Sequence, residues 1–168
     1  MPAGKRRMKK VGFFVLALLF WAVLAPPATP GSKLPPPPSS KPPVRPDAVE
    51  ERKAMDLYKL VHIENRRLFW DRCLAGKAFV RAKELVSKGY FQHRDPKTGN
   101  NPAWELVRRC YRYRSAGENL IKGMESPEII HNALMNSPTH RKNILDSRFR
   151  RVGIGCYDYV CVQLFSGF

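Results

Sequence analysis

Apolar residues recur at helical spacing where the folded part of the chain begins. In AVEERKAMDLYKLVHIENRR, residues 48–67, Met55, Tyr58 and Val61 line one side of a predicted helix. Leu57 and Leu60 extend this stripe less regularly. The pattern predicts a first helix with one buried face.

Two more helices have start or stop signals beside their apolar stripes. Asp71 is expected to cap a second helix that Gly89 closes. Its predicted buried positions are Leu74, Ala78, Ala82 and Leu85. The stretch SPEIIHNALMN places Ser126 at a cap and Pro127 at the first position of a third helix. Its predicted buried positions are Ile130, Ala133 and Leu134.

The period of the pattern changes near the C-terminus. HRDPKTGNNP, between the second and third helices, is dense in turn formers and is predicted to be a loop. In RVGIGCYDYVCVQLFSGF, apolar positions alternate on both sides of the turn YDYV, which predicts a hairpin. These positions are Val152, Ile154, Cys156, Val160, Val162 and Leu164. Helices followed by a terminal hairpin predict an α+β sandwich.

Composition divides the chain into three parts. Residues 1–25 have a basic start and then the 15-residue uncharged run Val11 to Ala25, which is typical of a signal peptide. Pro26 follows the expected cut site directly, so an uncleaved N-terminal anchor is the alternative. Residues 26–46 are rich in proline and predict an extended linker. Residues 47–168 form the predicted folded domain.

The chain is strongly basic, with a formal charge of +16. All 14 acidic residues lie from Asp47 onward and 8 basic residues precede it, so residues 47–168 carry 22 basic and 14 acidic residues, or +8. This excess favours an anionic cell-envelope polymer or lipid as partner, with a merely solubilising surface as the alternative. Because the chain has an export signal, no nucleic-acid partner is expected, and membrane contact is expected only through the N-terminal segment.

Four cysteines are consistent with an oxidising, extracellular compartment. Cys156 and Cys161 face each other across the predicted turn, which leaves Cys73 to pair with Cys110. Free buried thiols are the alternative for the second pair. No CxxC spacing indicates a zinc site.

Three titratable residues lie in predicted turns beside apolar segments: His93 in YFQHRDP, Glu118 in AGENLIKG and His140 in SPTHRKNIL. Two imidazoles and a carboxylate that converge in space could hold a divalent metal or relay protons. Taken singly, each histidine is more often a structural hydrogen-bonding group. His62 and His131, within predicted helices, are interpreted as structural.

Four stretches in order resemble the bacterial branch of the CAP superfamily, the SCP-like extracellular domains. They are GYFQHRDPKTG, GENLIKG, NSPTHRKNILDSRFRRVGIG and CVQLFSGF. The resemblance covers roughly residues 55–168. It implies an α-β-α sandwich around a small antiparallel sheet.

The resemblance also implies a cleft with two histidines and two glutamates. His93, Glu118 and His140 match three of them. The second glutamate has no clear match, because its counterpart falls near Asn136 or Ser137. Glu125 and Glu128 lie nearby without aligning, and Leu134 replaces the aromatic residue often found in the preceding helix. The three matched side chains could still hold zinc, with water as a fourth ligand.

This resemblance suggests a geometry for His140. Pro138 is expected to stop the preceding helix, so that Thr139 and His140 turn toward the cleft while Ile144 and Leu145 anchor the next turn in the core. Arg141 and Lys142 are expected at the cleft rim or on the surface, and Asn143 is expected to cap backbone groups locally.

Three functions follow as hypotheses. The first is a secreted or envelope-associated binding module that holds an extracellular ligand in its histidine- and glutamate-lined cleft. The second is a metal-dependent hydrolase or peptidase, with Glu118 as base and the histidines as ligands. The third is a structural protein of the cell envelope or spore surface. No serine or cysteine stands in a recognisable nucleophile motif, which counts against covalent catalysis.

Overall fold

The computed structural model describes residues 46–123 and 126–168. The predicted signal peptide, residues 1–25, and almost all of the predicted linker, residues 26–46, lie outside the described residues. Within the two described ranges, no helix is both long enough and apolar enough to span a bilayer.

Five helices and four strands make up the described ranges. They are α1 (Pro46–Glu64), β1 (Phe69–Trp70), α2 (Arg72–Lys88), α3 (Pro102–Arg108), β2 (Ser115–Lys122), α4 (Pro127–Asn136), α5 (Pro138–Leu145), β3 (Arg151–Tyr157) and β4 (Val160–Gly167). The strands form one sheet in the order β1-β3-β4-β2. β2, β3 and β4 pair antiparallel, and only the two-residue β1 runs parallel to its neighbour.

The predicted α+β sandwich is confirmed, with one apolar core on each face of the sheet. Residues of α2 and α3 pack against Leu120, Val160, Val162 and Leu164 on one face. Residues of α1, α4 and α5 pack against Val152, Ile154, Cys161 and Phe165 on the other. Helices thus cover both faces, and every residue of β4 is buried.

The second helix forms where its capping signals predict. The Asp71 side chain accepts a hydrogen bond from the Leu74 backbone N–H at 2.9 Å, and Gly89 ends the helix at a φ of 68°. Its four predicted core residues are all buried. A Cβ on Gly153 or Gly155 would lie 2.1 Å from a backbone nitrogen of α2, so these glycines let the helix lie directly on β3.

The predicted stripes of the first and third helices need correction. In α1 the buried residues are Ala54, Leu57 and Val61, whereas Met55, Tyr58 and Leu60 are only half-buried. Steps of three and then four residues stay in line along a helix, while two successive steps of three drift away from that line. In α4, His131 is buried and Ala133 is only half-buried.

The terminal hairpin is confirmed, and both predicted disulfides are formed. Cys156 lies opposite Cys161 in the β3–β4 register and is bonded to it. Cys73 in the first turn of α2 is bonded to Cys110 just after α3. This second bond holds the two helices on one face of the sheet together. The sequence patterns missed α3, α5, β1 and β2.

Candidate functional site

Glu118 lies in the middle of β2 rather than in the predicted turn. β2 is the last strand in the sheet order, so the site lies at an edge of the sheet. Side chains alternate along a strand, which directs Glu118 to the α2 face and Asn119 to the face covered by α5. Glu118 is only 4% exposed.

Arg81 of α2 is the main partner of Glu118. Its side chain is fully buried. All five of its N–H groups donate hydrogen bonds, to Glu118 Oε1 (3.1 Å), Glu84 Oε2 (3.1 Å), the Tyr90 hydroxyl (2.7 Å), and the backbone carbonyls of Gln92 (2.9 Å) and His93 (3.2 Å). Burial alone would lower the pKa of Arg81, but the charge of Glu118 and the bonds to Tyr90 and Glu118 outweigh it and raise that pKa. One guanidinium therefore fixes both the carboxylate and the loop that carries His93.

His93 binds the second oxygen of the Glu118 carboxylate. Its Nδ1–H donates to Glu118 Oε2 at 2.7 Å. This hydrogen bond raises the pKa of His93, since it outweighs the opposing effect of burial, and the negative charge of Glu118 adds to it. The imidazole is 53% exposed, so His93 reaches solvent at the edge of the sheet.

His140 belongs to a helix, and the predicted turn is wrong. Pro138 occupies the first turn of α5, with Ser137 as the residue between α4 and α5. Proline is tolerated at a helix start because the N–H it lacks would have no partner there, so Pro138 begins one helix as well as ending another. Burial lowers the pKa of His140, and repulsion by the charge of His93 lowers it further. The two imidazoles are therefore close enough to interact electrostatically.

Amide side chains hold α5 against β2. Asn119 Nδ2 donates to the His140 carbonyl at 3.1 Å and to Gln163 Oε1 at 3.0 Å. Asn143 Nδ2 donates to Asn119 Oδ1 at 2.8 Å and to the Glu118 carbonyl at 3.3 Å. The predicted local capping by Asn143 is thus wrong, because partners across the fold take its donors.

The anchoring of α5 is only partly as predicted. Ile144 is fully buried, whereas Leu145 is 41% exposed, so its predicted anchoring role is wrong. Leu145 ends the helix and follows Ile144 by one residue, which turns it away from the face that packs on the core. Arg141 and Lys142 are exposed, as expected.

The structure thus bonds His93 to Glu118 directly and ties His140 to β2 through its backbone carbonyl. In the described ranges, no acidic side chain other than Glu118 bonds to the side chain of His93 or His140. There, Asn136, Ser137 and Glu128 make no hydrogen bond to the side chains of these three residues. Glu128 is exposed and bonds to Ser126 instead. Glu125 lies outside the described residues.

The donor set does not fit the predicted zinc site. Both carboxylate oxygens of Glu118 already accept hydrogen bonds from cationic or protonatable partners, and Arg81 places a positive charge where a cation would have to bind. Across residues 46–123 and 126–168, no three histidine, cysteine, aspartate or glutamate side chains form a group suited to a metal ion.

Sequence patterns missed Arg81 and Asn119 and gave Asn143 only a local capping role. Arg81 could have been identified from the sequence, since it lies next to Ala82 on the buried face of α2. A charged residue on an apolar stripe is seldom buried without a partner, so its position pointed to a buried ion pair. The two asparagines left no comparable signal, because their partners lie on distant segments of the chain.

The sandwich, its edge site and its two disulfides define a domain of the CAP, or SCP-like, class. The model of the CAP family, described as the cysteine-rich secretory protein family, matches residues 50–165, and the chain belongs to this family.

Two curated relatives come from Bacillus subtilis (strain 168). The chain is 38% identical over 85 residues to the uncharacterized protein YkwD, which covers 51% of this chain and 33% of that protein. It is 26% identical over 107 residues to the uncharacterized membrane protein YlbC, covering 62% of this chain and 31% of that protein. The chain therefore spans about a third of the length of the curated relatives it matches.

Solved structures share the fold. An extracellular protein containing an SCP domain from Bacillus anthracis is 27% identical with a TM-score of 0.64, covering 71% of this chain and 41% of that one. An outer surface protein from Borrelia burgdorferi is 20% identical with a TM-score of 0.60, covering 70% of this chain and 93% of that one. At this lower identity the likeness concerns the fold alone.

Proposed function

We propose that the chain is an extracellular binding module that holds a ligand through the imidazole of His93, at the edge of the sheet beside His140. The observation that carries this proposal is the 53% exposed imidazole of His93, whose Nδ1–H donates to the buried Glu118 carboxylate at 2.7 Å. Opposite shifts of the pKa values of His93 and His140 support it. His93 is favoured as a cation, and no described residue bonds to its Nε2. When His93 is protonated, this nitrogen carries an N–H that can donate to a carboxylate, phosphate or other oxygen acceptor on the ligand.

His140 complements this donor as a neutral imidazole. A neutral imidazole has one donor and one acceptor nitrogen, so it could bond to a hydroxyl or amide group next to the acidic oxygen. Since α5 is fixed to β2 by Asn119 and Asn143, the position of His140 is set before any ligand arrives. A polar, oxygen-rich molecule is the ligand class that suits both His93 and His140.

The same geometry argues against the hydrolase hypothesis, in which Glu118 acts as a general base. A base must reach the proton it removes, but Glu118 is buried and both of its oxygens are already engaged. The carboxylate instead keeps His93 charged and oriented.

The extracellular location is part of the proposal. It is supported by the two disulfides and by likeness to a protein whose structure is described as extracellular. It is also consistent with residues 1–25 acting as a signal peptide or as an anchor that leaves the domain outside.

The test is sedimentation of the purified full chain with Bacillus subtilis cell-wall sacculi. Wild type should bind more strongly below the raised pKa of His93 than above it, by roughly tenfold, the size of one charge-assisted hydrogen bond. His93→Ala/His140→Ala should bind weakly at every pH. Arg52→Ala/Lys83→Ala, which removes two exposed charges on α1 and α2, is the control and should keep the pH dependence.

Equal, pH-independent binding by wild type and the double histidine variant would overturn the role of His93 and His140. Absence of binding in both, with altered envelope assembly when the protein is missing, would favour the structural hypothesis instead.

A further inference from the structure

Four arginines and two exposed phenylalanines belong to segments whose backbones come together at the end of the sheet where β3 begins and β4 ends. They are Phe69, Arg114, Arg148, Arg150, Arg151 and Phe168, and we call them the arginine–phenylalanine patch. We propose that this patch docks the domain onto a bilayer surface rich in anionic phospholipid. It is separate from the site formed by His93, Glu118 and His140.

Backbone contacts hold these residues together. Phe69 pairs with Arg151 in the β1–β3 register, and its N–H donates to the Arg150 carbonyl at 2.9 Å. The Arg114 N–H donates to the Gly167 carbonyl at 2.9 Å. A Cβ on Gly167 would lie 2.0 Å from the Arg148 carbonyl, so only glycine allows that approach.

Aromatic rings sit against the arginine at the centre. The Arg151 guanidinium lies 5.2 Å from the ring centre of Phe168 and 4.7 Å from that of Tyr111. Phe69 and Phe168 are each 61% exposed. The patch therefore combines cationic groups with apolar rings that have not been withdrawn from water.

The positive charge of the patch is only partly compensated. Asp71, which is buried, pairs with Arg151 at 3.2 Å, and Asp146 pairs with Arg148. Within the described part of the chain, no carboxylate forms an ion pair with Arg114 or Arg150. Arg150 donates only to the carbonyls of Ser147 and Phe149, which carry no net charge.

The two exposed phenylalanines favour a lipid surface over a soluble polyanion. Arginines alone suit either partner, since both present phosphate oxygens. Exposed aromatic rings beside arginines gain from entering the boundary between headgroups and acyl chains, a gain that a hydrated polymer does not offer.

The test measures how fast phenylglyoxal modifies individual arginines of the full chain, resolved by peptide mass spectrometry. The chain is mixed with vesicles of phosphatidylcholine alone or of phosphatidylcholine with phosphatidylglycerol. Because the readout is specific to each arginine, binding through residues 1–45 does not imitate the result. In the anionic vesicles Arg114 and Arg150 should react about fivefold more slowly, from about one kilocalorie of attraction per arginine.

Two controls sharpen the result. Arg52 on α1 and Arg141 on α5 are exposed internal references that should react equally in both vesicles. Phe69→Ser/Phe168→Ser should keep a wild-type circular dichroism spectrum, since both rings are largely exposed, and should lose most of the protection.

Equal reaction of Arg114 and Arg150 in the two kinds of vesicle would overturn the proposal. So would protection by soluble polyphosphate that matches protection by the anionic vesicles and survives Phe69→Ser/Phe168→Ser, because the patch would then serve an anionic polymer.

Discussion

The candidate site has two sides, which we call the α2 wall and the α5 wall. The two sides hold His93 and His140 by different chemistry. The α2 wall, formed by Arg81, Glu118 and His93, is a chain of charged groups. The α5 wall, formed by Asn119, Asn143 and His140, is held by neutral amides. The α2 wall raises the pKa of His93. The α5 wall leaves His140 partly desolvated, which lowers its pKa.

This difference teaches how one short strand edge can hold two imidazoles whose pKa values are shifted in opposite directions. Adjacent residues of β2 point to opposite faces, so Glu118 stabilises charge on one side while Asn119 positions a backbone carbonyl on the other. Environments that separate the pKa values of neighbouring groups are characteristic of functional sites.

The largest expected effect is on the α2 wall. Arg81→Met should lower the free energy of unfolding by about 3–5 kcal/mol, because it leaves a buried carboxylate and two loop carbonyls without their donor. Urea denaturation followed by circular dichroism measures this loss. Lys83→Met, at an exposed position of the same helix, is the matched control. A loss no larger than that of the control would contradict the role assigned to Arg81.

A smaller effect is expected on the α5 wall. Asn119→Ala should cost about 1–3 kcal/mol, since it leaves neutral groups rather than a charge unpaired. The same urea titration applies, and Asn132→Ala on the exposed face of α4 should change stability by less than about 0.5 kcal/mol. If Asn119→Ala proves as damaging as Arg81→Met, the contrast between charged and neutral walls is wrong.

Glu118→Gln should reduce the difference between the pKa values of the two histidines without removing either one. The amide cannot stabilise the imidazolium as the carboxylate does, and Arg81 would then repel it, so the pKa of His93 should fall. Proton NMR of the imidazole resonances measures the change. A pKa of His93 that stays raised in Glu118→Gln would show that another group causes the shift.

The smallest effects concern the dependence of stability on pH. The folded-state pKa of His93 is raised, so its contribution is present below about pH 6.5 and is lost as pH rises through the raised value. The folded-state pKa of His140 is lowered, so stability is kept above about pH 6.5 and is lost as pH falls through the lowered value.

Melting temperatures across pH test these signs. His93→Ala should flatten the alkaline side of the profile and His140→Ala the acidic side. Both changes should be small, because each imidazole is partly exposed and screened by solvent. Effects on the opposite sides would refute the assignment of the two protonation states.

The sequence predicted the elements whose signals are local. α2 has a capping aspartate, a closing glycine and a regular apolar stripe within one short segment, and the β3–β4 hairpin has a turn between two alternating runs. Gly117, Glu118, Asn119 and Leu120 of β2 are all buried, so no alternation of polar and apolar residues marked that strand.

The candidate site was predicted as a set of residues but not as a geometry. His93, Glu118 and His140 were identified by family resemblance, and their meeting depends on how α2 and α5 pack on opposite faces of β2. The environment of each histidine depends on Arg81 and Asn119, whose partners are 37 and 21 positions away along the chain. Local patterns carry no information about such partners.

The most direct test of the opposite pKa shifts at His93 and His140 is a proton NMR pH titration of the full chain. His93→Ala and His140→Ala are used to assign the resonances. The account predicts that His93 titrates above, and His140 below, the ordinary histidine pKa of about 6.5, and that removing His93 moves the pKa of His140 upward. Titration of both residues at the same pH, each unaffected by loss of the other, would contradict it.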